Sequence, residues 1–268
     1  MTRLSSNERT IGVTALKHAA PYVRMFKGKA FVLKAGGEAF ASAEATRALV
    51  EQIGILHQVG IRVVLVHGGG PQSTALAEQL EIDAHFVEGR RVTDAAALNV
   101  MTMVLNGQIN TNIVATCRAA GVPAVGISGV DANLIQAVKR PPVKSAGSSD
   151  AASFVDYGFV GDIEAVDTTV LDNLLDDNLV PIVSPLSADA DGTLLNINAD
   201  TVAAAIAGGL NAEKLILATG APGILETLAD PRSLISYIDR GGLKKLRDEG
   251  KLSDGMLPKV AAIEKALA

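Results

Sequence analysis

Phe31-Val32-Leu33-Lys34-Ala35-Gly36-Gly37 is an apolar run that closes on a lysine and a glycine pair, and Val63-Val64-Leu65-Val66-His67-Gly68-Gly69-Gly70-Pro71 repeats the plan with a longer glycine stretch. A short, continuous apolar run bounded by a turn signal reads as a strand buried on both faces. Each run is followed by a helical pattern, and strand–turn–helix units in succession predict a mainly parallel sheet. The glycines have a second consequence. Without Cβ atoms, backbone N–H groups at a strand exit close on an anion, and the next helix adds its positive end. Such exits, with lysine to neutralise charge, point to a chain that holds a phosphate in transfer.

Working outward, the alternation persists. Strands are expected at 30–34, 62–67, 123–127, 180–184 and 214–218, and helices at 14–26, 43–58, 71–80, 94–120, 168–177, 199–210, 241–249 and 258–267. Between about 130 and 167 the apolar runs are short and broken by Gly, Pro and Ser, which predicts antiparallel hairpins, with 140–149 as a mobile loop. The fold class is α/β, a three-layer αβα sandwich around a mainly parallel central sheet. The pattern closes on a helix near Ala268 with no strand after it, so a further strand or domain is expected beyond it.

Composition narrows the function. Hydrophobic residues make up 48% of the 268 and aromatic residues only 3%, a core of Ala, Val, Ile and Leu as parallel sheets use. A net charge of −5 argues against nucleic acid or an acidic membrane as partner. An anionic substrate must therefore be captured by local cations. The lone Cys117 excludes an internal disulfide and fits a reducing compartment. Met1 to Thr10 is polar and charged, unlike a signal peptide. The uncharged stretch Ala95–Cys117 carries Asn99, Asn106, Gln108, Asn110 and Asn112, which suit a buried amphipathic helix better than lipid. A cytoplasmic location follows as the expectation.

The candidate residues each carry a plainer alternative. Lys34 stands at the carboxyl end of the first sheet strand, where open α/β sheets bind ligands, with Gly36 and Gly37 leaving room for a phosphate; the alternative is a solvated lysine beside a tight turn. Gly69 and Gly70 offer amides to a carboxylate or phosphate at the start of the Pro71 helix. His67 is read as structural. In Gly89-Arg90-Arg91-Val92-Thr93-Asp94, Arg91 is the candidate carboxylate ligand, Arg90 its solvated neighbour, and Thr93 or Asp94 the helix cap. In Asn196-Ile197-Asn198-Ala199-Asp200, Asn198 reads as a cap and Asp200 either as a first-turn acid or as a carboxylate holding lysines in place; capping leaves Asn196 unexplained. By spacing alone Lys259 is one more exposed helix lysine. No dedicated metal cage is legible, so any Mg²⁺ should arrive with a nucleotide.

Together these segments resemble the amino acid kinase family over nearly the whole chain. The markers are Lys34-Ala35-Gly36-Gly37, His67 to Gln72, Gly89 to Asp94, Gly126 to Asp131, Gly158 to Ile163, Asn196 to Asp200 and Gly255 to Val260. The resemblance is to members that phosphorylate the side-chain carboxylate of N-acetyl-L-glutamate with MgATP, in the synthesis of arginine. It implies that Lys34 and Lys259 stabilise the phosphoryl group in flight and that Asp200 organises them. It further implies that Gly69, Gly70, Arg91 and Asn196 bind the acyl amino acid, and Gly36 and Gly37 the nucleotide phosphates. The implied plan is a leading helix over 1–27, an acyl-amino-acid lobe over 28–190 and a nucleotide lobe over 191–268. Ala15 to Arg24 resembles the extra helix of hexameric, arginine-inhibited members, which implies a homo-oligomer, a dimer or a hexamer joined through that helix. Departures occur at Ala35, at Glu38 and in Thr219-Gly220-Ala221-Pro222-Gly223, which lacks a familiar aspartate. Two alternatives stay open: an amino-acid-sensing domain once joined to an acetyltransferase, and a kinase for the one-carbon-longer acetylaminoadipate.

Overall fold

The computed structural model describes residues 6–83, 85–87, 90–144, 154–220, 223–227, 230, 232–252 and 256–267, with side chains from Thr10 onward except Arg90 and Pro258. In chain order the first half runs α1 (Ser6–Phe26), β1 (Ala30–Ala35), a 3-10 turn (Gly37–Phe40), α2 (Ala43–Gln58), β2 (Arg62–His67), α3 (Gly70–Gln79), β3 (Phe86–Val87), β4 (Arg90–Arg91), α4 (Ala95–Thr102), a π-helical segment (Met103–Asn110), α5 (Thr111–Ala119) and β5 (Ala124–Ser128). After a 3-10 turn (Asp131–Asn133) come β6 (Ile135–Lys139), β7 (Val143–Lys144), β8 (Phe154–Val155), β9 (Gly161–Val166), α6 (Thr169–Asp176), β10 (Val180–Ser184), β11 (Leu186–Ala188), β12 (Leu194–Asn196), α7 (Ala199–Gly209), β13 (Lys214–Ala218), α8 (Arg240–Asp248) and α9 (Leu257–Ala266).

The central sheet has five strands in the order β13-β1-β2-β10-β5, all parallel. In β1 and β2 every residue but the first is buried, as expected where helices cover both faces. Side chains alternate between those faces. Phe31, Leu33, Val63 and Leu65 enter one apolar cluster with residues of α2, α4, the π segment and α5. Val32, Val64 and Val66 enter the other, with α6 and α7. Lys34 shares parity with Val32, so it faces α7. A smaller four-stranded sheet, β12-β11-β6-β9, caps that side, with β6 and β9 antiparallel and the β7–β8 ribbon between them. The hairpins expected over 130–167 are therefore present; residues 145–149 of the expected loop lie outside those described.

Two expectations are corrected. The leading helix starts at Ser6 rather than at 14, and the helix expected over 94–120 is broken by the π segment. That segment turns asparagines inward: Asn110 Nδ2 donates to Ile182 O at 2.9 Å, and Ser184 Oγ donates to Asn106 Oδ1. A widened turn has this use, satisfying strand-end groups where an α-helix would pass them by.

The turn after β5 stores backbone strain. Asp131 Oδ2 accepts from Ser128 N and Ser128 Oγ, both at 2.6 Å, and the chain then passes through Ala132 at φ 50°. Alanine in the left-handed region costs about 1–2 kcal/mol. Ala132→Gly should therefore raise the stability by about 0.5–1 kcal/mol, read as a higher urea midpoint at unchanged slope.

Candidate functional site

The two glycine turns leave adjacent strands β1 and β2, where Ala35 pairs with His67, and they stay in contact beyond the sheet. Gly68 N donates to Ala35 O at 2.9 Å, and Gln72 Nε2 donates to Gly37 O at 2.7 Å. At Gly37 a Cβ would lie 2.8 Å from Pro71 Cδ and 3.2 Å from Gly69 Cα, so only glycine allows the turns to touch. At Gly69 it would strike Ile109 and Leu105 of the π segment. Gly36 is less constrained, since its nearest obstacle is the movable, exposed Glu38 carboxylate.

Lys34 and Asp200 are 7% and 4% exposed, and Lys34 Nζ lies 3.0 Å from Asp200 Oδ1. That contact is off the hydrogen-bonding direction, since Oδ1 has no directed donor among the described residues; it is an ion pair. Lys259 Nζ approaches the other oxygen, Oδ2, at 3.2 Å and does make a hydrogen bond. Asp200 thus bridges the lysines. It is held in the first turn of α7 by Asn198, whose Oδ1 accepts from Asp200 N at 2.8 Å, so capping and lysine-holding coexist in one motif. Lys259 reaches the site because α9 packs along α7. Two ammonium groups against one carboxylate leave a formal excess of +1 beside the glycine turns, and Gly36 and Gly68 meet there.

A second group forms at the start of α3. Arg91 Nη2 donates to Thr74 Oγ1 at 2.6 Å, and its guanidinium stacks on Phe86 at 4.8 Å. Partial burial lowers the Arg91 pKa from its ordinary value. Asp94, rather than Thr93, caps α4 through Ala97 N at 2.8 Å. Asn196 Nδ2 points to Thr93 Oγ1 at 3.4 Å, and Asn196 N donates to Phe159 O at 2.8 Å. Gly158, at φ 73°, is locked in this group because a Cβ there would sit 2.3 Å from Thr93 O. The structure thus brings Lys34, Asp200, Lys259, Gly36, Gly37 and Gly69 together. It ties Arg91 to the helix that Gly70 opens, and Asn196 to Thr93. Sequence reasoning gave no role to Gln72 or Thr74, of which only Gln72 fell within a motif, and offered Thr93 only as a candidate helix cap.

His67 is fully buried, and burial pushes its pKa down to about 4. Asn110 Nδ2 donates to His67 Nε2 at 3.1 Å, which assigns the ring proton to Nδ1, facing Gly68 O at 3.4 Å. Because the folded pKa lies below the unfolded value, the unfolded chain binds the extra proton between these values, and stability falls as pH drops from about 6.5 to about 4. About 3 kcal/mol should be lost over that window. In His67→Gln this contribution is absent, so urea midpoints of the two proteins against pH should converge in acid.

A groove of about 860 Å³ between α2 and α5, lined in part by Thr46, Arg47, Glu51 and Gln108, lies behind the glycine turns and excludes the lysine pair. Lys34, Asp200 and Lys259 do not line that groove; they gather at the end of β1 and the start of α7. Among the described residues no group of three or more His, Cys, Asp or Glu is placed to hold a metal, and no helix is long and apolar enough to cross a membrane.

Fold and site together describe an α/β phosphotransferase. A model of the amino acid kinase family matches residues 29–268, and the chain belongs to that family. It is 47% identical to an acetylglutamate kinase of Myxococcus xanthus, over 95% of this chain and 83% of that one. It is 44% identical to a chloroplastic acetylglutamate kinase of Arabidopsis thaliana, over 96% of this chain and 71% of that one. An N-acetylglutamate synthase structure from Neisseria gonorrhoeae, with coenzyme A and N-acetyl-glutamate, superposes with a TM-score of 0.78 at 27% identity, covering 95% of this chain and 55% of the synthase.

Proposed function

We propose that this chain transfers the γ-phosphoryl group of ATP to the side-chain carboxylate of N-acetyl-L-glutamate, giving ADP and an acyl phosphate on the way to arginine. The observation that carries the reading is Asp200 bridged between Lys34 and Lys259, at 3.0 and 3.2 Å, beside two touching glycine turns. The acceptor carboxylate is already ionised at neutral pH, so no general base is required. One of its oxygens attacks the γ-phosphorus in line while the bond to the β,γ-bridging oxygen breaks, and no proton moves. Catalysis then reduces to positioning and charge neutralisation. An ammonium about 4 Å from a phosphoryl oxygen supplies about 4 kcal/mol at the effective dielectric of a half-buried site.

In this reading Lys34 and Lys259 hold the phosphoryl oxygens and Asp200 sets the lysine positions. Gly36 and Gly37 receive the nucleotide phosphates. Gly69, Gly70, Arg91 and Asn196 hold the acyl amino acid, the guanidinium on a carboxylate and the Asn196 amide on a polar group. Residues 28–190 then form the acceptor lobe and 191–268 the nucleotide lobe. The turns offer N–H and ammonium groups, which fit phosphate oxygens and not a bare cation, so Mg²⁺ enters as the partner of the nucleotide. Ile11, Val13, Leu16, Tyr22 and Met25 along α1 are well exposed, which supports a homo-oligomer joined through that helix. A cytoplasmic enzyme completes the proposal.

The deciding measurement is coupled ADP release across N-acetyl-L-glutamate, its one-carbon-longer homologue and the free amino acids. N-acetyl-L-glutamate should be the preferred acceptor, by about 10–200-fold over the homologue. Equal turnover of unacetylated glutamate, or ADP release without any acceptor dependence, overturns the reading.

A further inference from the structure

We propose that Gln72 is a positioning residue that sets the distance between the donor and acceptor turns. The inference rests on the assignment of Gly36–Gly37 to the nucleotide and Gly69–Gly70 to the acyl amino acid made above. The sheet fixes β1 against β2 only as far as Ala35 and His67. Past that point, the tips of the turns lie outside the ladder. Gly68 N to Ala35 O ties their bases, and Gln72 Nε2 to Gly37 O, at 2.7 Å, ties their tips.

The geometry of the amide is specific. Gly37 O only accepts, so the NH₂ end of Gln72 must face it, and Oε1 is left buried with no hydrogen-bond partner among the described residues. A buried orphan acceptor is unfavourable, and an apolar side chain of equal length would avoid it. The same Oε1 lies where a Gly37 Cβ would stand, 2.4 Å away, so the amide lies against the Gly37 backbone. A side chain that accepts this penalty in order to bridge two ligand turns acts as a clasp. Its length matters too, because an asparagine at the start of α3 is one methylene short of Gly37.

Clasp loss should appear in turnover and not in binding. Each turn keeps its own amides, but an in-line transfer misplaced by about 1 Å loses about 100-fold in rate. In Gln72→Met, kcat should fall about 10–100-fold, with both KM values little changed. In Gln72→Glu, the carboxylate cannot donate to Gly37 O, whereas the protonated acid can. The ratio of its kcat to that of the wild type should therefore rise from mildly alkaline to mildly acidic pH, and the ratio for Gln72→Met should not. Independently of activity, amide hydrogen exchange in both turns should quicken together, about tenfold, in Gln72→Met. Unchanged exchange in both turns, or a loss confined to one KM, overturns the clasp. Failure of the wild type to release ADP with N-acetyl-L-glutamate overturns the functional reading instead, and the exchange experiment still decides whether the clasp exists.

Discussion

Lys34→Ala should lower kcat for N-acetyl-L-glutamate by about 10²–10³-fold, the range seen when one preorganised electrostatic donor is removed from a transition state. The fold should survive. Asp200 keeps Lys259 at 3.2 Å, so no buried charge is left alone, and the β1 backbone ladder to β2 and β13 does not depend on the side chain. Affinity for the acyl amino acid should change little, since Arg91, Asn196 and the Gly69–Gly70 turn are untouched. Lys34→Arg should recover only part of the rate, because the planar, larger guanidinium cannot occupy a position 7% exposed and 3.0 Å from Asp200 without displacing it. Steady-state kinetics on purified protein, with circular dichroism as the folding control, reads the result. Full turnover in Lys34→Ala sinks the assignment of that lysine.

Much of this site was legible in the sequence because the parallel strands announce themselves. Arg62–His67, Val180–Ser184 and Lys214–Ala218 begin and end as read. The first two are buried on both faces and read as apolar runs that stop at turn residues. The third, an edge strand, is still a short apolar run bounded by a charged and a turn residue. The Asn198 cap was equally visible, because capping is a local hydrogen bond. The pairing of Lys259 with Asp200 was not. It depends on α9 packing along α7, and helix spacing alone makes Lys259 look solvated; only resemblance pointed to it. The π segment was hidden for a different reason. Helical periodicity over 95–119 does not reveal one widened turn, although Asn106 and Asn110 in an apolar stretch were the trace it left. Short strands such as Phe86–Val87, Arg90–Arg91 and Leu194–Asn196 carry no period, and they position Arg91 and Asn196. Gln72 was legible only as part of a glycine motif, since its role needs the neighbouring turn.

Asp200→Asn is expected to fail in two ways at once. The lysines now share a carboxylate; the substitution removes the negative charge that pairs with both of them and raises the formal excess from +1 to +2. An asparagine has one acceptor and one donor end, so it meets one ammonium and opposes the other. Lys34, almost wholly buried, is then an unpaired cation, and breaking a buried pair in this way costs about 3–5 kcal/mol. The urea midpoint should drop accordingly. Turnover should fall by at least about 10²-fold, because the lysines lose the group that holds them on the phosphoryl oxygens. The two effects separate in a double variant. Adding Lys34→Met to Asp200→Asn removes the orphaned charge, so part of the lost stability should return although activity does not. The pair should therefore be strongly non-additive in stability. Additive midpoints would mean that the buried lysine finds another partner, and the Lys34–Asp200–Lys259 bridge would lose its energetic basis. An unchanged kcat in Asp200→Asn would instead leave the bridge intact as structure and remove it from catalysis.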